Sequence, residues 1–325
     1  MSGPHPIPHS FPFDPRYGHS VEDLQQIQAP DTEPSDFAAF WRKLHRQALT
    51  VPLDLKVEPR PSPCKGQNLL QVSYRVWPDY RVGAWVLLPE KTTSPACGVV
   101  AGHGYGGREE PDTALAGPDR AVIFPVAPGF HISPDPHLPY NNAGMHVVHG
   151  IEQKEHYLLA ACAAALWRAV DVLEEICNGS IEHFHYRGWS FGGGMGALML
   201  PWEPRFQTAE LGQVTFAHHP FRLRHPCVGS GQAVREYWLK DPSIEKTTLP
   251  YFEACSSLRH LHIPTVFACS VFDPAVPPPG QWAAANAHPG PKRITPLPTG
   301  HFDYPHPDTP SAEQLHQQHL QELFG

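Results

Sequence analysis

The sequence predicts an α/β fold, with a mostly parallel central sheet, helices on both faces and an N-terminal antiparallel hairpin. Three observations carry this. After residue 90 the chain alternates short apolar runs with segments of helical period, the pattern of a sheet covered on both sides. Between residues 69 and 88 it alternates apolar with polar residues, the pattern of a half-exposed antiparallel pair. Gly188-Trp189-Ser190-Phe191-Gly192 stands between a strand-like run and a glycine-rich helix start, marking a sharp strand-to-helix turn.

Taken in order, residues 1–34 are rich in proline and histidine without sustained periodicity. They predict an arm extended on the surface or across a neighbouring subunit, with a disordered tail as the alternative. Residues 35–325 predict one domain around one sheet. A helix begins near Ser35, because Phe37, Phe40, Trp41, Leu44 and Ala48 fall on one face. Residues 69–77 and Val82 to Leu88 form the hairpin. The parallel strands are expected at 97–101, 121–126, 181–187, 213–217, 264–270 and 292–297. Leu158 to Ile176 is a long helix with Leu159, Ala163, Leu166, Val170 and Leu173 turned inward, and Gly192 to Leu200 is the helix after the pentapeptide. Helical patterns at 230–240, 279–288 and 311–323 complete the alternation, which contains no internal repeat.

Composition narrows the function. A formal net charge of −8 over 325 residues lacks the basic stripes that displace counterions from nucleic acid, so a small-molecule partner is expected instead. With 39 prolines and only 17% charged residues, loops are stiffened by fixed φ rather than by ion pairs. No apolar run reaches the ~18 residues of a membrane span. The first residues carry neither a basic segment nor an apolar core, which gives the expectation of a cytoplasmic protein. Seven scattered cysteines without a Cys-x-x-Cys pair read as reduced packing residues.

The pentapeptide has the form of the nucleophile elbow of the α/β-hydrolase fold, where a serine is held on a strained turn between flanking glycines. A serine hydroxyl needs a histidine base and an acid that fixes the histidine tautomer, and in this fold they follow in the order serine, acid, histidine. Asp273 lies beyond the expected strand 264–270, and His301 follows the next strand through Pro298-Thr299-Gly300. Both stand at the carboxyl edge, where ligands bind in open α/β sheets. Asp303 and Asp241 compete for the acid, and His306 competes for the base. His103-Gly104-Tyr105-Gly106-Gly107-Arg108 follows strand 97–101, and its glycines free the backbone to aim donors at an oxyanion. The donors are assigned to the N–H groups of Tyr105 and Phe191.

The pairs His146/His149, His183/His185, His218/His219 and His260/His262 invite a metal reading. None has a cysteine or carboxylate at a recognised ligand spacing, and His183 and His185 lie on one face of a strand that helices are expected to cover. No metal and no cofactor are therefore expected. Gly192-Gly193-Gly194 lacks the Lys-Ser or Lys-Thr of a phosphate cradle.

Ser35-Asp36-Phe37-Ala38-Ala39-Phe40-Trp41, Gly104 to Arg108, Arg187 to Gly194, Phe272 to Pro278 and Gly300-His301 together resemble the acetyl xylan esterase and cephalosporin-C deacetylase family, a carbohydrate-esterase group of the α/β-hydrolase superfamily. The resemblance spans nearly the whole chain. It implies deacetylation of small acetylated sugars or similar short-acyl esters by a Ser190, His301, Asp273 triad, in a homo-oligomer that is commonly a hexamer with sites facing an internal cavity. Three features depart from it. Ala127-Pro128-Gly129-Phe130 stands where the family has Arg-Gly-Gln, Phe302 replaces the Glu after the base, and Phe191 replaces the Gln after the nucleophile. Those departures keep open a peptidase, a longer-acyl esterase, or a catalytically retired fold serving as a binding protein.

Overall fold

The computed structural model describes residues 7–92, 94–304, 314 and 318. Nine strands form one sheet in the order β1-β2-β3-β5-β4-β6-β7-β8-β9. They are β1 Lys56–Arg60, β2 Gln67–Trp77, β3 Tyr80–Pro89, β4 Cys97–Ala101, β5 Arg120–Pro125, β6 His183–Trp189, β7 Phe206–Gly212, β8 Thr265–Ser270 and β9 Lys292–Leu297. β1, β2, β3 and β5 pair antiparallel in succession. From β5 through β4, β6, β7 and β8 to β9 every pairing is parallel. The chain leaves β4 toward β5 on one side and later places β6 on the other, so a topological switch point opens at the carboxyl end of β4.

The helices are α1 Val21–Gln26, α2 Phe37–Thr50, α3 Ala143–His146, α4 Leu159–Ile176, α5 Phe191–Met199, α6 His219–Arg224, α7 Ser230–Lys240, α8 Ile244–Thr247, α9 Ala254–Leu258 and α10 Pro278–Ala287. α2, α4, α5, α9 and α10 share a continuous core with Val72, Tyr74, Val100, Tyr186 and Phe267 of the sheet. Trp41, Trp167 and Trp282 are fully buried there, each contributing about 2–3 kcal/mol by leaving water. Their indole N–H groups are satisfied by the carbonyls of Tyr251, Met199 and Ser270, so burial leaves no orphaned donor. On the opposite face Leu69, Leu87, Val99, Val122 and Phe124 pack with Leu115 of a short 3-10 turn. The expected helix at 311–323 lies outside the described residues apart from Gln314 and Gln318. No described helix is long and apolar enough to cross a membrane.

The sequence expectations are corrected in two places. The strand expected at 213–217 lies at Phe206–Gly212, and the apolar run after it turns sharply, with Gln213 and Phe216 at φ 46° and 62°. The alternate residues of β7 are polar, which conceals it in the sequence. Glu210 is fully buried, accepting from Arg187 Nε at 2.8 Å and Trp189 Nε1 at 2.9 Å. The face of β6 bearing His183 and His185 is not helix-covered: His183 is exposed, and His185 is half-buried against Thr208 of β7. Residues 7–34 lie on the surface of their own chain, as one of the two expectations had it, and include helix α1, opened by a Ser20/Asp23 capping box. Leu24 is buried, and the carbonyls of Leu24 and Ile27 accept from Asn286 of α10. All seven cysteines are free, five of them buried.

Candidate active site

Ser190 sits between β6 and α5 at φ 57° and ψ −117°, outside the regions an L-residue normally occupies, at a cost of about 1–3 kcal/mol. Neighbouring glycines make the turn possible. A Cβ on Gly188 would lie 2.5 Å from the Gly192 backbone, and one on Gly192 would lie 2.9 Å from Gly102 of the loop after β4. The Tyr186 hydroxyl ties the turn down by donating to Gly192 O at 2.6 Å, and Ser190 N donates to Gly212 O at 2.9 Å. The hydroxyl of Ser190 is thereby held clear of its own helix.

His301 Nε2 is 2.8 Å from Ser190 Oγ, and His301 Nδ1 is 2.8 Å from Asp273 Oδ2. Asp273 is fully buried yet completely engaged: Oδ1 accepts from the N–H groups of Ala275 and Val276, and Oδ2 accepts from Gln281 Nε2 as well as from His301. Such an ionised acceptor orients the ring with Nδ1 protonated and Nε2 free to accept the serine proton. Burial works to lower the His301 pKa, but the hydrogen bond and charge of Asp273 outweigh it and raise it above the ordinary histidine value. Gln281 also accepts from Ser270 N at 2.8 Å, which couples the acid to the end of β8.

The third component is the loop after β4. A Cβ on Gly104 would lie 3.9 Å from Ser190 Cβ, so this loop passes directly beside the serine. His103 fixes it. His103 Nε2 accepts from Ala127 N at 2.9 Å, which leaves Nδ1–H to donate to Gly104 O at 2.6 Å. Burial drives the His103 pKa down to about 3, so the ring is a neutral strut with one defined tautomer. The Tyr105 ring stacks on the Phe191 ring with centroids 4.2 Å apart, joining the two residues expected to hold an oxyanion. Phe191 opens α5, where an N–H has no intrahelical acceptor, and among the described residues no acceptor engages the Tyr105 N–H.

The structure thus brings Ser190, Asp273, His301, Tyr105 and Phe191 together. His301 Nδ1 pairs with Asp273 and with neither competitor: Asp303 is exposed, and Asp241 accepts from Ser243 in an exposed turn. His306 lies outside the described residues. Among the described residues no three His, Cys, Asp or Glu side chains converge as metal ligands. His146 and His219 instead meet the carbonyls of Pro128 and Phe252, and His260 meets Glu33. The segment Ala127 to Phe130, where the resemblance departs, supports the oxyanion loop through the Ala127 N–H and through Phe130 packed on His103 and Tyr105.

Sequence reasoning missed the parts that His103, Gln281 and the arm play at the site. Phe11 packs on Phe302, His9 packs on Phe272, and Pro15 O accepts from Asp273 N at 3.1 Å, so the arm walls the acid and base loops. Its signal was there as His9, Phe11 and Phe13, aromatic residues at alternate positions, followed by Tyr17 within a proline-rich stretch.

A family model described as acetyl xylan esterase matches residues 17–314. Among solved structures, an acetyl xylan esterase from a Paenibacillus species is 20% identical over 94% of this chain and 98% of its own, with a TM-score of 0.80. Acetyl xylan esterase 1 from a Thermoanaerobacterium species is 17% identical over 96% of this chain and 100% of its own, also with a TM-score of 0.80. More distantly, the acylaminoacyl peptidase of Pyrococcus horikoshii shares the fold over 82% of this chain and 39% of its own, at 12% identity and a TM-score of 0.53.

Proposed function

Because the chain belongs to the acetyl xylan esterase family, and so is a carboxylic ester hydrolase, we propose that it removes acetyl groups from small acetylated sugars with Ser190 as nucleophile. The observation that carries this reading is the continuous hydrogen-bonded path Ser190–His301–Asp273. Ser190 Oγ gives its proton to His301 Nε2 as it attacks the acetyl carbonyl. The N–H groups of Tyr105 and Phe191 receive the oxyanion, each such donor being worth about 3 kcal/mol in the transition state. His301 then protonates the departing sugar oxygen, and water repeats the sequence on the acetyl-enzyme. Asp273 holds the ring in register throughout.

The rings of Tyr105, Phe191 and Phe130 give the oxyanion side an apolar wall and leave the chemistry to backbone donors. A series of 4-nitrophenyl esters from acetate to decanoate, run beside acetylated xylose, tests the acyl choice. Acetate and the acetyl sugar are expected to be the best substrates; kcat/KM climbing toward decanoate would refute the acetylesterase reading. We further propose a cytoplasmic homo-oligomer, as the sequence features and the family resemblance lead us to expect, and light scattering that finds only monomer removes the assembly.

A further inference from the structure

The backbone that carries the base is lightly held. Gly300 N donates to Phe272 O at 2.7 Å, but beyond it, among the described residues, no backbone hydrogen bond ties His301 or Phe302. His301 is also at φ 47°, a left-handed conformation that few non-glycine residues adopt and that persists only where the surroundings over-determine it. Side chains must therefore fix what the main chain does not.

Four rings do so. Phe302, directly after the base, pairs with Phe272, directly before the acid, with centroids 5.3 Å apart. From the arm, Phe11 meets Phe302 edge-on at 5.7 Å, and His9 meets Phe272 edge-on at 5.4 Å. His9 and Phe11 are themselves 5.7 Å apart, so the circuit closes with every ring at pairing distance from the next. Phe272 is buried within it.

The arm that presents Phe11 is anchored to the body of the domain. Pro15 O accepts from Asp273 N at 3.1 Å, and the Tyr17 hydroxyl donates to Pro226 O at 2.9 Å while its ring meets Phe221 of α6 edge-on at 5.5 Å. Phe13 links these anchors to Phe11, its ring lying 5.8 Å from those of both Phe11 and Tyr17.

We propose that Phe11 is a positioning residue for the base: it holds Phe302, and through it the backbone of His301, so that Nε2 stays on Ser190 Oγ. The inference rests on the triad assigned above. It also accounts for one departure from the family resemblance, since Phe302 is the ring that the arm packs against.

The test is kcat and KM for 4-nitrophenyl acetate in the full-length chain, with thermal unfolding of the same samples. Misplacement of a reacting group by 1 Å costs on the order of 10²-fold, and Phe11→Ala, which removes one of two ring supports, is expected to lower kcat at least about tenfold with KM little changed. Phe11→Tyr keeps the ring and should stay within about threefold of wild type. A purely structural contact would lower the melting temperature and leave kcat of the folded enzyme unchanged. Because Phe11 acts through Phe302, adding Phe11→Ala to Phe302→Ala should lower kcat no further than Phe302→Ala alone. If Phe11→Ala does not fold, Phe11→Leu, which keeps most of the volume without the flat ring, takes its place with the same loss expected. A ringless variant whose kcat is within about threefold of wild type overturns the proposal. So do losses that multiply in the double variant or that appear equally in Phe11→Tyr. Failure of the underlying reading looks different: Ser190→Ala would then keep wild-type activity, whatever the Phe11 variants do.

Discussion

Gly300→Ala probes how tightly the base is placed. A Cβ at Gly300 would lie 2.1 Å from Ser270 Oγ, 2.5 Å from Asp273 Oδ2 and 2.7 Å from Gln213 Nε2. The closest two fall short of an unstrained contact by roughly 1 Å. Ser270 Oγ can rotate, but Asp273 Oδ2 is held by Gln281 and by His301 itself. Relief must therefore come from moving the loop that carries His301, and a displacement near 1 Å costs on the order of 10²-fold in rate. Overpacking this site should also cost about 1–3 kcal/mol of stability. The assay is kcat and KM for 4-nitrophenyl acetate, with thermal unfolding of the same samples. We expect kcat to fall about a hundredfold with KM little changed, and the added change Ser270→Ala to recover only part, because the Asp273 contact remains. A Gly300→Ala enzyme within about threefold of wild type would refute the steric argument.

Other outcomes follow from the same geometry. Neutral His301 is the base, so kcat/KM should fall as pH drops through its raised pKa; Asp273→Asn removes the raising influence and leaves that of burial, moving this acid limb to lower pH while the rate falls on the order of 10³–10⁴-fold. An acid limb that stays in place would show that another group is being titrated. His103→Ala should lower kcat by about 10²-fold through misplacement of the Tyr105 N–H, with an unshifted acid limb because His103 is already neutral above pH 3; a shifted limb would make His103 a proton carrier. Glu203 is buried, and although burial pushes its pKa up, hydrogen bonds from Arg205 and His45 hold it down to about 2. Its folded pKa is below the unfolded value of 4.5, so its stabilisation, about 3 kcal/mol, is present above pH 4.5 and lost as pH falls toward 2. Glu203→Gln should flatten acid unfolding in that window, and an unchanged profile measured by circular dichroism would contradict the assignment.

The site was legible where its chemistry coincides with local pattern. Ser190 is marked by flanking glycines that the strained turn requires, and Asp273 follows the apolar strand β8 and His301 the edge strand β9, which fix their edge position. What escaped is what depends on pairing across the fold. β7 was hidden because Glu210 is buried by Arg187 and Trp189, which are distant in sequence. β1 was hidden because it is an exposed edge strand of five residues with no buried period. His103 looked like one of 22 histidines, since its partner Ala127 N comes from the end of another strand. Gln281 sits in a helix whose first turn is proline, with nothing local to indicate that its amide reaches Asp273.

The most direct measurement is labelling with a serine-reactive phosphonate, mapped by mass spectrometry and paired with 4-nitrophenyl acetate kinetics of Ser190→Ala. The account predicts one adduct per chain, located on Ser190, with the variant unlabelled and at least ~10³-fold slower. An adduct on another residue, or a variant that hydrolyses the ester at the wild-type rate, would contradict it.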